Sequence, residues 1–297
     1  MKMHDDQVNV DVAMVRRLIA EQFPQWRGQP VRALATDATV NSIFRIGPTL
    51  SARFPLTGDD PEACRTELNA EAAASRELAV HSSVPVPTPV AVGAPGAGYP
   101  LYWSVQTWLP GQVATPDGDA SSDALAHDLA TFIGGLRGIG TRGRRFAGGG
   151  RGGSLRAQDD GVEVALTASE GLVDVPGLRQ LWAQLRELPP GGADVMSHRD
   201  LIPPNLLLHN RRLVGILDGG GFGPADPALD LVAGWHLLDA DRRVILREAL
   251  GSDDIQWQRG RAWAFAQAIG LVWYYRSSNP GMSRLGRSTL RRVLHDT

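Results

Sequence analysis

Strand-like and helix-like patterns are segregated along this chain, and the segregation limits the folds that it can adopt. Short β-rich runs occur at 31–55 and 101–109, whereas most of the chain after Pro110-Gly111 has helical periodicity. Strands grouped ahead of helices are typical of an α+β protein. We therefore predict a small N-terminal lobe with an antiparallel sheet, residues 1–108, and a larger, mainly helical C-terminal lobe, residues 109–297.

The first lobe is predicted to open with a helix and to continue with three strands. Residues 10–23 carry apolar side chains at helical spacing, and Pro24 ends the pattern. The runs VRALAT, TVNSIFRIG and TLSARFPL follow, separated by the turn signals Asp37-Ala38 and Gly47-Pro48. This arrangement predicts a three-stranded antiparallel meander.

A second helix, an extended connector and a further strand complete the first lobe. Residues 61–80 are rich in Ala, Glu and Leu and begin with a proline, which is common at the first helical position. Alternate prolines in VPVPTPV, residues 84–90, remove backbone donors and predict an extended connector. The run LYWSVQTWL at 101–109 predicts the strand.

Helical patterns dominate the second lobe. We predict helices at 121–137, 176–188, 227–238, 241–250, 255–276 and 283–295. The segment 134–153 is different, because it is dense in Gly and Arg and includes FAGGGRGGS. It is either a mobile surface loop with solvated charges or a loop that closes over an anionic ligand.

The composition favours small molecules or other proteins as partners. A formal net charge of -2 gives no reason to expect a nucleic-acid footprint or a polybasic membrane anchor. The longest apolar run, residues 262–275, is shorter than the roughly 20 residues that cross a bilayer. Cys64 is the only cysteine, and the N-terminus lacks the pattern of a signal peptide. We expect a cytoplasmic protein that binds neither nucleic acid nor a membrane.

Four polar residues stand at fixed offsets in SHRDLIPPNLLLHNRRLVGILD: His198, Asp200, Asn205 and Asp218. At average residue frequencies this pattern arises on the order of once in a thousand random chains, so it needs a chemical explanation. Phosphoryl transfer provides one. Asp200 would accept the proton of an attacking hydroxyl, while Asn205 and Asp218 would supply hard oxygen ligands for Mg2+.

The residues between these positions predict how the metal ligands meet. LLLH and RLVGIL form two strands of a hairpin turned by Asn210-Arg211, which would bring Asn205 and Asp218 together. The alternative is structural, with Asp200 and Asn205 capping a buried loop. His198 lacks a second His or Cys at ligand spacing, so a supporting hydrogen bond is favoured over a metal role.

The chain resembles the aminoglycoside phosphotransferase family of small-molecule kinases, which share the protein-kinase-like two-lobe fold. HRDLIPPNLLL resembles the family's HGDL-x3-N loop, and ILDGGGFGPADPALDL resembles its I-D-[WF]-G-x2-G-x-[GA]-D-P-x2-D-L segment. VPVPTPVAVG and WLPG resemble characteristic segments of the family's first lobe. The resemblance extends from about Val31 to the C-terminus and is strongest at 196–232.

The resemblance implies roles for particular residues of the second half. Asp200 corresponds to the catalytic aspartate, and Asn205 and Asp218 correspond to the metal ligands. Asp230 corresponds to an acid that braces the catalytic loop, with His198 as a further structural support.

In the first lobe the resemblance implies a nucleotide site. Glu71 corresponds to the glutamate that pairs with a phosphate-binding lysine, but Lys2 is the only lysine, and Arg53 stands in the expected place. An arginine can bridge phosphate oxygens and Glu71, although its geometry differs from that of lysine. Thr107 and Leu109 correspond to the linker that offers backbone groups to adenine.

Three departures from the family pattern concern the loops. No glycine lies between Leu34 and Gly47, so the phosphates would be met by a polar turn at 39–42 that includes Asn41 and Ser42. Arg199 replaces the usual Gly of the catalytic loop. Gly219 replaces an aromatic residue that packs under the site. We predict either that a neighbouring side chain, with Phe222 the nearest candidate, fills the gap or that Asp218 is more mobile and binds Mg2+ weakly.

These observations imply an ATP- or GTP-dependent phosphotransferase that uses Mg2+ and acts on a hydroxyl of a small molecule, as a monomer or homodimer. An aminoglycoside antibiotic is the first choice of acceptor, and a macrolide or a metabolite is the alternative. A degenerate homologue that binds nucleotide without catalysis is the competing hypothesis.

The acceptor pocket is only weakly indicated. Aromatic residues of the late helix are either core or pocket lining: Trp263, Phe265, Trp273, Tyr274 and Tyr275. Four acids of the second lobe could bind a cationic acceptor: Asp239, Asp241, Asp253 and Asp254. Three of them stand where helix N-caps are expected, which is the simpler interpretation.

Overall fold

A computed structural model describes residues 7–34 and 40–295 of the chain. Its contacts divide the chain into two compact units. The N-terminal unit comprises the described residues up to Val80, with Pro85–Pro110 and Asp218–Gly220, and the C-terminal unit comprises His81–Val84, Gly111–Leu217 and Gly221 onward. The predicted boundary between residues 108 and 109 stays a prediction.

A five-stranded antiparallel sheet forms the centre of the N-terminal unit. Its strands are β1 (Val31–Ala33), β2 (Asn41–Ile46), β3 (Leu50–Pro55), β4 (Pro89–Gly93) and β5 (Trp103–Thr107). The spatial order is β1-β2-β3-β5-β4. The three-stranded meander is therefore confirmed, but the proline connector ends in β4, a strand that its prolines had concealed.

Two helices accompany this sheet. α1 (Val12–Gln22) begins at Asp11, whose side chain accepts a hydrogen bond from the Met14 amide. α2 (Pro61–His81) agrees with the predicted helix. The side chains buried between α1 and the sheet include Leu18, Phe54 and Trp103, with the Phe54 and Trp103 rings stacked at 4.8 Å.

The C-terminal unit is mainly helical. Its helices are α3 (Asp123–Arg137), α4 (Asp159–Ala168), α5 (Val175–Leu185), α6 (Val232–Leu237), α7 (Ala240–Leu250), α8 (Asp254–Tyr274) and α9 (Pro280–Leu294). No described helix combines membrane-spanning length with the hydropathy that a bilayer requires. The α+β architecture predicted from the sequence is confirmed.

Local sequence features explain where the predicted helices differ from the structure. The predictions do not include α4, whose Gly161, Val162 and Val164 weaken the helical signal. The helix predicted at 227–238 begins only at Val232, because the Asp226 side chain accepts the Ala228 amide and a 3-10 turn follows. We expected three of the four candidate acids at helix N-caps, and two are found there: Asp239 and Asp253 cap helices, whereas Asp241 and Asp254 lie in the first turns.

The C-terminal unit also contains five short strands, β6 to β10, that lie before or between its helices along the chain. β6 (Gln112–Val113), β8 (Leu206–His209) and β9 (Arg212–Ile216) form one antiparallel sheet, and β7 (Val195–Ser197) pairs with β10 (Gly223–Ala225). β8 and β9 are the predicted hairpin, and its turn residues Asn210 and Arg211 both have positive φ angles, as a tight turn requires.

Candidate active site

The loop between β7 and β8 carries the His198–Asn205 motif. His198 is fully buried, and its Nε2 lies 3.0 Å from the carbonyl oxygen of Leu217. Because a carbonyl can only accept, His198 Nε2 carries the proton and Nδ1 faces the Asp200 amide at 3.4 Å. His198 therefore connects the start of the loop to the end of β9.

Asp230 fixes the same loop from the 3-10 turn Leu229–Leu231. One carboxylate oxygen accepts the His198 amide at 2.9 Å, and the other accepts the Arg199 amide at 3.0 Å. Asp230 is 4 % exposed, so these charge-assisted bonds lie in a region of low dielectric. This contact is the kind of bracing that the resemblance implies for Asp230.

Asp200 is held by two side chains. Asn205 Nδ2 donates to the Asp200 carbonyl oxygen and to Asp200 Oδ2, both at 2.9 Å. Arg151 Nη2 donates to Asp200 Oδ1 at 2.8 Å. The carboxylate of Asp200 is 28 % exposed and is thus partly open to solvent in a fixed orientation.

In the N-terminal unit, Arg53 contacts Asp218. Arg53 Nη2 lies 2.8 Å from Asp218 Oδ1, and the Glu71 carboxylate acts on Arg53 through its charge. Burial opposes the charge on Arg53, but the Asp218 and Glu71 carboxylates together outweigh it, so the pKa of Arg53 is raised. The hydrogen-bond partner of Arg53 is therefore Asp218 and not Glu71, the partner that the sequence suggested.

Glu71 lies on α2 and stays partly exposed to solvent. Burial raises the pKa of Glu71, Arg53 opposes that change, and Asp218 adds to it. A Cβ atom added to Gly220 would lie 2.9 Å from both Cβ and Cγ of Glu71. The absence of a side chain at Gly220 thus lets the chain after Asp218 pack directly on the Glu71 stem.

Leu78 fills the space at Gly219. A Cβ atom there would lie 2.7 Å from Leu78 Cδ2 and 3.5 Å from Val86 Cγ1. A neighbouring side chain therefore fills the gap, as one alternative predicts, but the side chain is Leu78 and not Phe222. A side chain at Gly219 would therefore have to displace the end of the Leu78 side chain.

The remaining predicted nucleotide contacts lie along the sheet. Asn41 and Ser42 open β2, opposite Pro55 and Phe54 of β3, whereas Thr39 of the predicted polar turn falls outside the described residues. The Thr107 amide donates to the Thr88 carbonyl at 3.0 Å, so a bond from Thr107 to adenine would use its carbonyl. Leu109 follows β5 and is half-buried.

The late aromatic residues separate into two groups. Trp263 and Phe265 are fully buried and belong to the core, as the simpler interpretation predicts. Trp273, Tyr274 and Tyr275 are half-buried or exposed at the end of α8, with neighbouring rings in edge-to-face contact. Only these last three stay candidates for the acceptor pocket.

The predicted metal ligands lie one in each unit: Asn205 in the C-terminal unit and Asp218 in the N-terminal unit. Asn205 and Asp218 offer an amide and a carboxylate oxygen, and no group of three or more His, Cys, Asp or Glu in the described part of the chain could hold a metal. Mg2+ commonly takes one or two protein ligands and completes its shell with water and phosphate oxygens. Each residue type taken singly is one that Mg2+ accepts as a ligand, and the joint role of Asn205 and Asp218 stays a prediction.

Sequence reasoning missed two groups next to the loop. Asp226, in the motif GPADPALDL, accepts hydrogen bonds from Arg259 Nε at 2.9 Å and Trp263 Nε1 at 3.0 Å. Arg151 lies in the Gly/Arg-rich segment, and only its charge hinted at a function. Neither spacing nor periodicity identifies the partner of a side chain so far away in sequence.

Comparisons with known proteins identify the family and the fold of the chain. The sequence matches the family model of the phosphotransferase enzyme family over residues 30–266, and a search of curated proteins found no significant match. The GDP complex of aminoglycoside 2'-phosphotransferase-IIIa has a TM-score of 0.67 at 19% identity, covering 96% of this chain and 99% of that one.

The macrolide 2'-phosphotransferase MphH from Brachybacterium faecium has a TM-score of 0.61 at 17% identity, covering 94% of this chain and 97% of its own. Such low identities show a shared fold alone, whereas the family match covers most of the sequence. The chain belongs to the aminoglycoside phosphotransferase family and has its kinase-like fold.

Proposed function

We propose that the protein is an ATP- or GTP-dependent phosphotransferase that phosphorylates a hydroxyl group of a small molecule. The observation that carries this proposal is the Asp200 carboxylate, held by Asn205 on a loop that Asp230 fixes through two backbone amides. An aminoglycoside antibiotic is the first acceptor to test, and a macrolide or a metabolite is the alternative. Similar proteins have been solved with GDP and kanamycin.

The proposed reaction assigns one role to each residue. Asp200 orients the acceptor hydroxyl and takes its proton as the new O–P bond forms and the bond to the leaving nucleoside diphosphate breaks. Asn205 keeps the Asp200 carboxylate in the required orientation. Bound Mg2+, with Asn205 and Asp218 as ligands, would neutralise charge on the phosphate oxygens.

The proposed nucleotide site uses the sheet of the N-terminal unit. Arg53 is a cation near Glu71, and we propose that it contacts nucleotide phosphates, as a lysine does in related enzymes. Asn41 and Ser42 are proposed phosphate contacts, and Thr107 and Leu109 are proposed adenine contacts. We further propose a cytoplasmic monomer or homodimer that binds neither nucleic acid nor a membrane.

Replacement of the proposed base tests the function. We expect Asp200→Ala to reduce acceptor-dependent nucleotide consumption by at least about a hundredfold, because a positioned acid–base group contributes that much to proton transfer. Steady-state release of ADP or GDP with a panel of hydroxylated acceptors measures this loss. Asp160→Asn, an exposed carboxylate of the same unit, is the control. Equal rates for Asp200→Ala and the parent would exclude the mechanism.

A second candidate, a nucleotide-binding homologue without catalysis, is favoured by one contact. Arg53 forms an ion pair with Asp218, the proposed metal ligand, and this pair competes with Mg2+ for the same carboxylate. This candidate predicts Mg2+-dependent nucleotide binding, measured by titration calorimetry, with no turnover on any acceptor. Turnover that depends on Asp200 would exclude it.

A further inference from the structure

The chain from 129 to 158 contains six arginines and neither Asp nor Glu. We call residues 137–156 the basic segment; its arginines are Arg137, Arg142, Arg144, Arg145, Arg151 and Arg156. A run of one sign creates a local positive potential that attracts anions. In a chain of net charge -2 this concentration of positive charge is a local feature and not a property of the whole protein.

The basic segment is fastened beside the catalytic loop. The Phe146 amide donates to Asp194 Oδ2 at 2.7 Å, and the Asp226 amide donates to the Gly152 carbonyl at 2.7 Å. The guanidinium of Arg199, the neighbour of Asp200, lies 5.2 Å from the centroid of the Phe146 ring. These contacts place the basic segment beside the catalytic loop. They therefore favour the prediction that this segment closes over an anionic ligand over the prediction that it is a mobile surface loop.

Glycines allow this close packing. A Cβ atom added to Gly153 would lie 2.7 Å from the Phe146 ring, and one added to Gly152 would lie 3.1 Å from it. Gly152 also has a φ angle of +115°, which side chains rarely adopt. The backbone that follows Arg151 is therefore held in place, and the Arg151 side chain reaches Asp200.

The carboxylates nearest the loop already have donors. Asp200 contacts Arg151 and Asn205, and Asp230 binds two backbone amides. Asp226 is buried against Arg259. A polycationic acceptor would have to displace one of these donors, whereas an anionic oxygen could contact Arg151 directly.

We propose that Arg151 binds an anionic phosphate or carboxylate oxygen of the ligand next to Asp200. It thereby disfavours polycationic acceptors, which places an acidic metabolite ahead of the aminoglycoside among the acceptors proposed above. The inference rests on the proposed function for the identity of the site, although binding can be measured without turnover. Arg151 Nη2 is 2.8 Å from Asp200 Oδ1 and its side chain is 41 % exposed, so it can reach a ligand beside the carboxylate. The planar guanidinium suits two-point contact with such oxygens.

Two sources could provide this oxygen: the terminal phosphate of the nucleotide or an acid group on the acceptor. The first arm of the test compares titration of ADP with that of a non-hydrolysable ATP analogue. The second arm titrates glucuronate, glucose and glucosamine in the presence of Mg-ADP, because these sugars share most hydroxyls and differ in charge. Both arms use the parent, Arg151→Gln and the control Arg145→Gln, an exposed arginine of the same segment.

We expect Arg151→Gln to weaken anion binding about tenfold, as the loss of a charge-assisted hydrogen bond implies, and Arg145→Gln to leave it unchanged. A loss confined to the ATP analogue identifies the nucleotide as the source, and a loss confined to glucuronate identifies the acceptor. An unchanged affinity in both arms, or a parent that prefers glucosamine, would overturn the proposal.

Asp200→Asn separates this inference from the proposed function. Removal of the carboxylate charge frees Arg151 for a ligand, so anion binding should tighten while turnover is lost. Tighter anion binding in a protein whose parent has no turnover would support the role of Arg151 and contradict the proposed function. Turnover that depends on Asp200, together with unchanged anion binding in Arg151→Gln, would support the proposed function and contradict the role of Arg151.

Discussion

Arg199 has a backbone conformation that glycine adopts at lower cost. Its φ angle is +72°, in the left-handed region that favours glycine. The side chain compensates for this strain: the guanidinium donates to the Pro224 carbonyl and lies over Phe146. Burial lowers the pKa of Arg199, and the charges of Asp230 and Asp194 oppose that change. Contacts of the side chain therefore offset an unfavourable backbone.

Two substitutions separate the backbone from the side chain at Arg199. Arg199→Ala loses the contacts and keeps the strained φ angle, whereas Arg199→Gly loses the contacts and relieves the strain. We expect the glycine variant to be the more stable of the two by about 1 kcal/mol, the usual cost of the left-handed conformation. Chemical denaturation measures this difference in the free energy of unfolding. Equal stabilities would show that Arg199 is not strained.

At the scale of elements, Asp226 joins three parts of the C-terminal unit. Arg259 and Trp263, one turn apart on α8, both donate to it, and Arg259 also donates to the Leu188 and Pro189 carbonyls after α5. Asp226 and Arg259 have side chains 4 % and 5 % exposed. A pair so deeply buried is costly to break, because the remaining charge has no water to solvate it.

Removal of one partner should therefore destabilise the unit strongly. We expect Asp226→Ala to lower the free energy of unfolding by about 3–5 kcal/mol, as for other buried pairs. The double variant Asp226→Ala/Arg259→Met should be more stable than Asp226→Ala, because no unpaired charge stays in the core. Glu163→Gln, which breaks the solvent-exposed pair with Arg179, is the control. A loss no larger than that of the control would contradict the role of Asp226.

At the scale of the whole molecule, periodic sequence patterns predicted most of the secondary structure but few of the side-chain contacts. The order of strands and helices follows from periodicity and from proline and glycine positions, and the spacing of Asp200 and Asn205 indicated a shared loop. The predicted hairpin was correct because its strands are adjacent in sequence. The resemblance pointed to Asp230, which spacing alone would not have singled out.

The sequence did not predict the side-chain partners that define the site. Arg53 contacts Asp218, 165 residues away, and Arg151 contacts Asp200, 49 residues away. Such pairs depend on how distant segments pack, as where Gly220 lies against Glu71. Local secondary-structure propensity carries no information about this packing. The same reason explains the wrong choice of Phe222, since sequence proximity to Gly219 did not determine spatial proximity.

His236 makes the stability of the protein depend on pH. It is fully buried, with Nδ1 2.8 Å from Thr289 Oγ1 and Nε2 2.9 Å from Gln267 Oε1. Burial lowers the pKa of His236 to about 4, below its usual value of 6.5, while the bond to Gln267 opposes this and the charges of Arg151 and Arg292 add to it. The folded state therefore favours the neutral imidazole.

The sign of the effect follows from this depressed pKa. Below about pH 6.5 the unfolded chain binds a proton at His236 that the folded chain does not, so protonation favours unfolding. We expect His236 to reduce the free energy of unfolding by about 1.4 kcal/mol per pH unit between roughly pH 6.5 and 4, and to have no further effect below that window.

The measurement is the difference in unfolding free energy between the parent and His236→Asn at a series of pH values. Titrations shared by both proteins cancel in this difference, so its slope reports His236 even if the variant is less stable at every pH. His127→Asn, an exposed histidine of the same unit, is the control and should give a much flatter difference. A difference that is constant from pH 7 to 4 would show that His236 takes up its proton equally in both states, and that its burial with Thr289 and Gln267 does not hold it neutral.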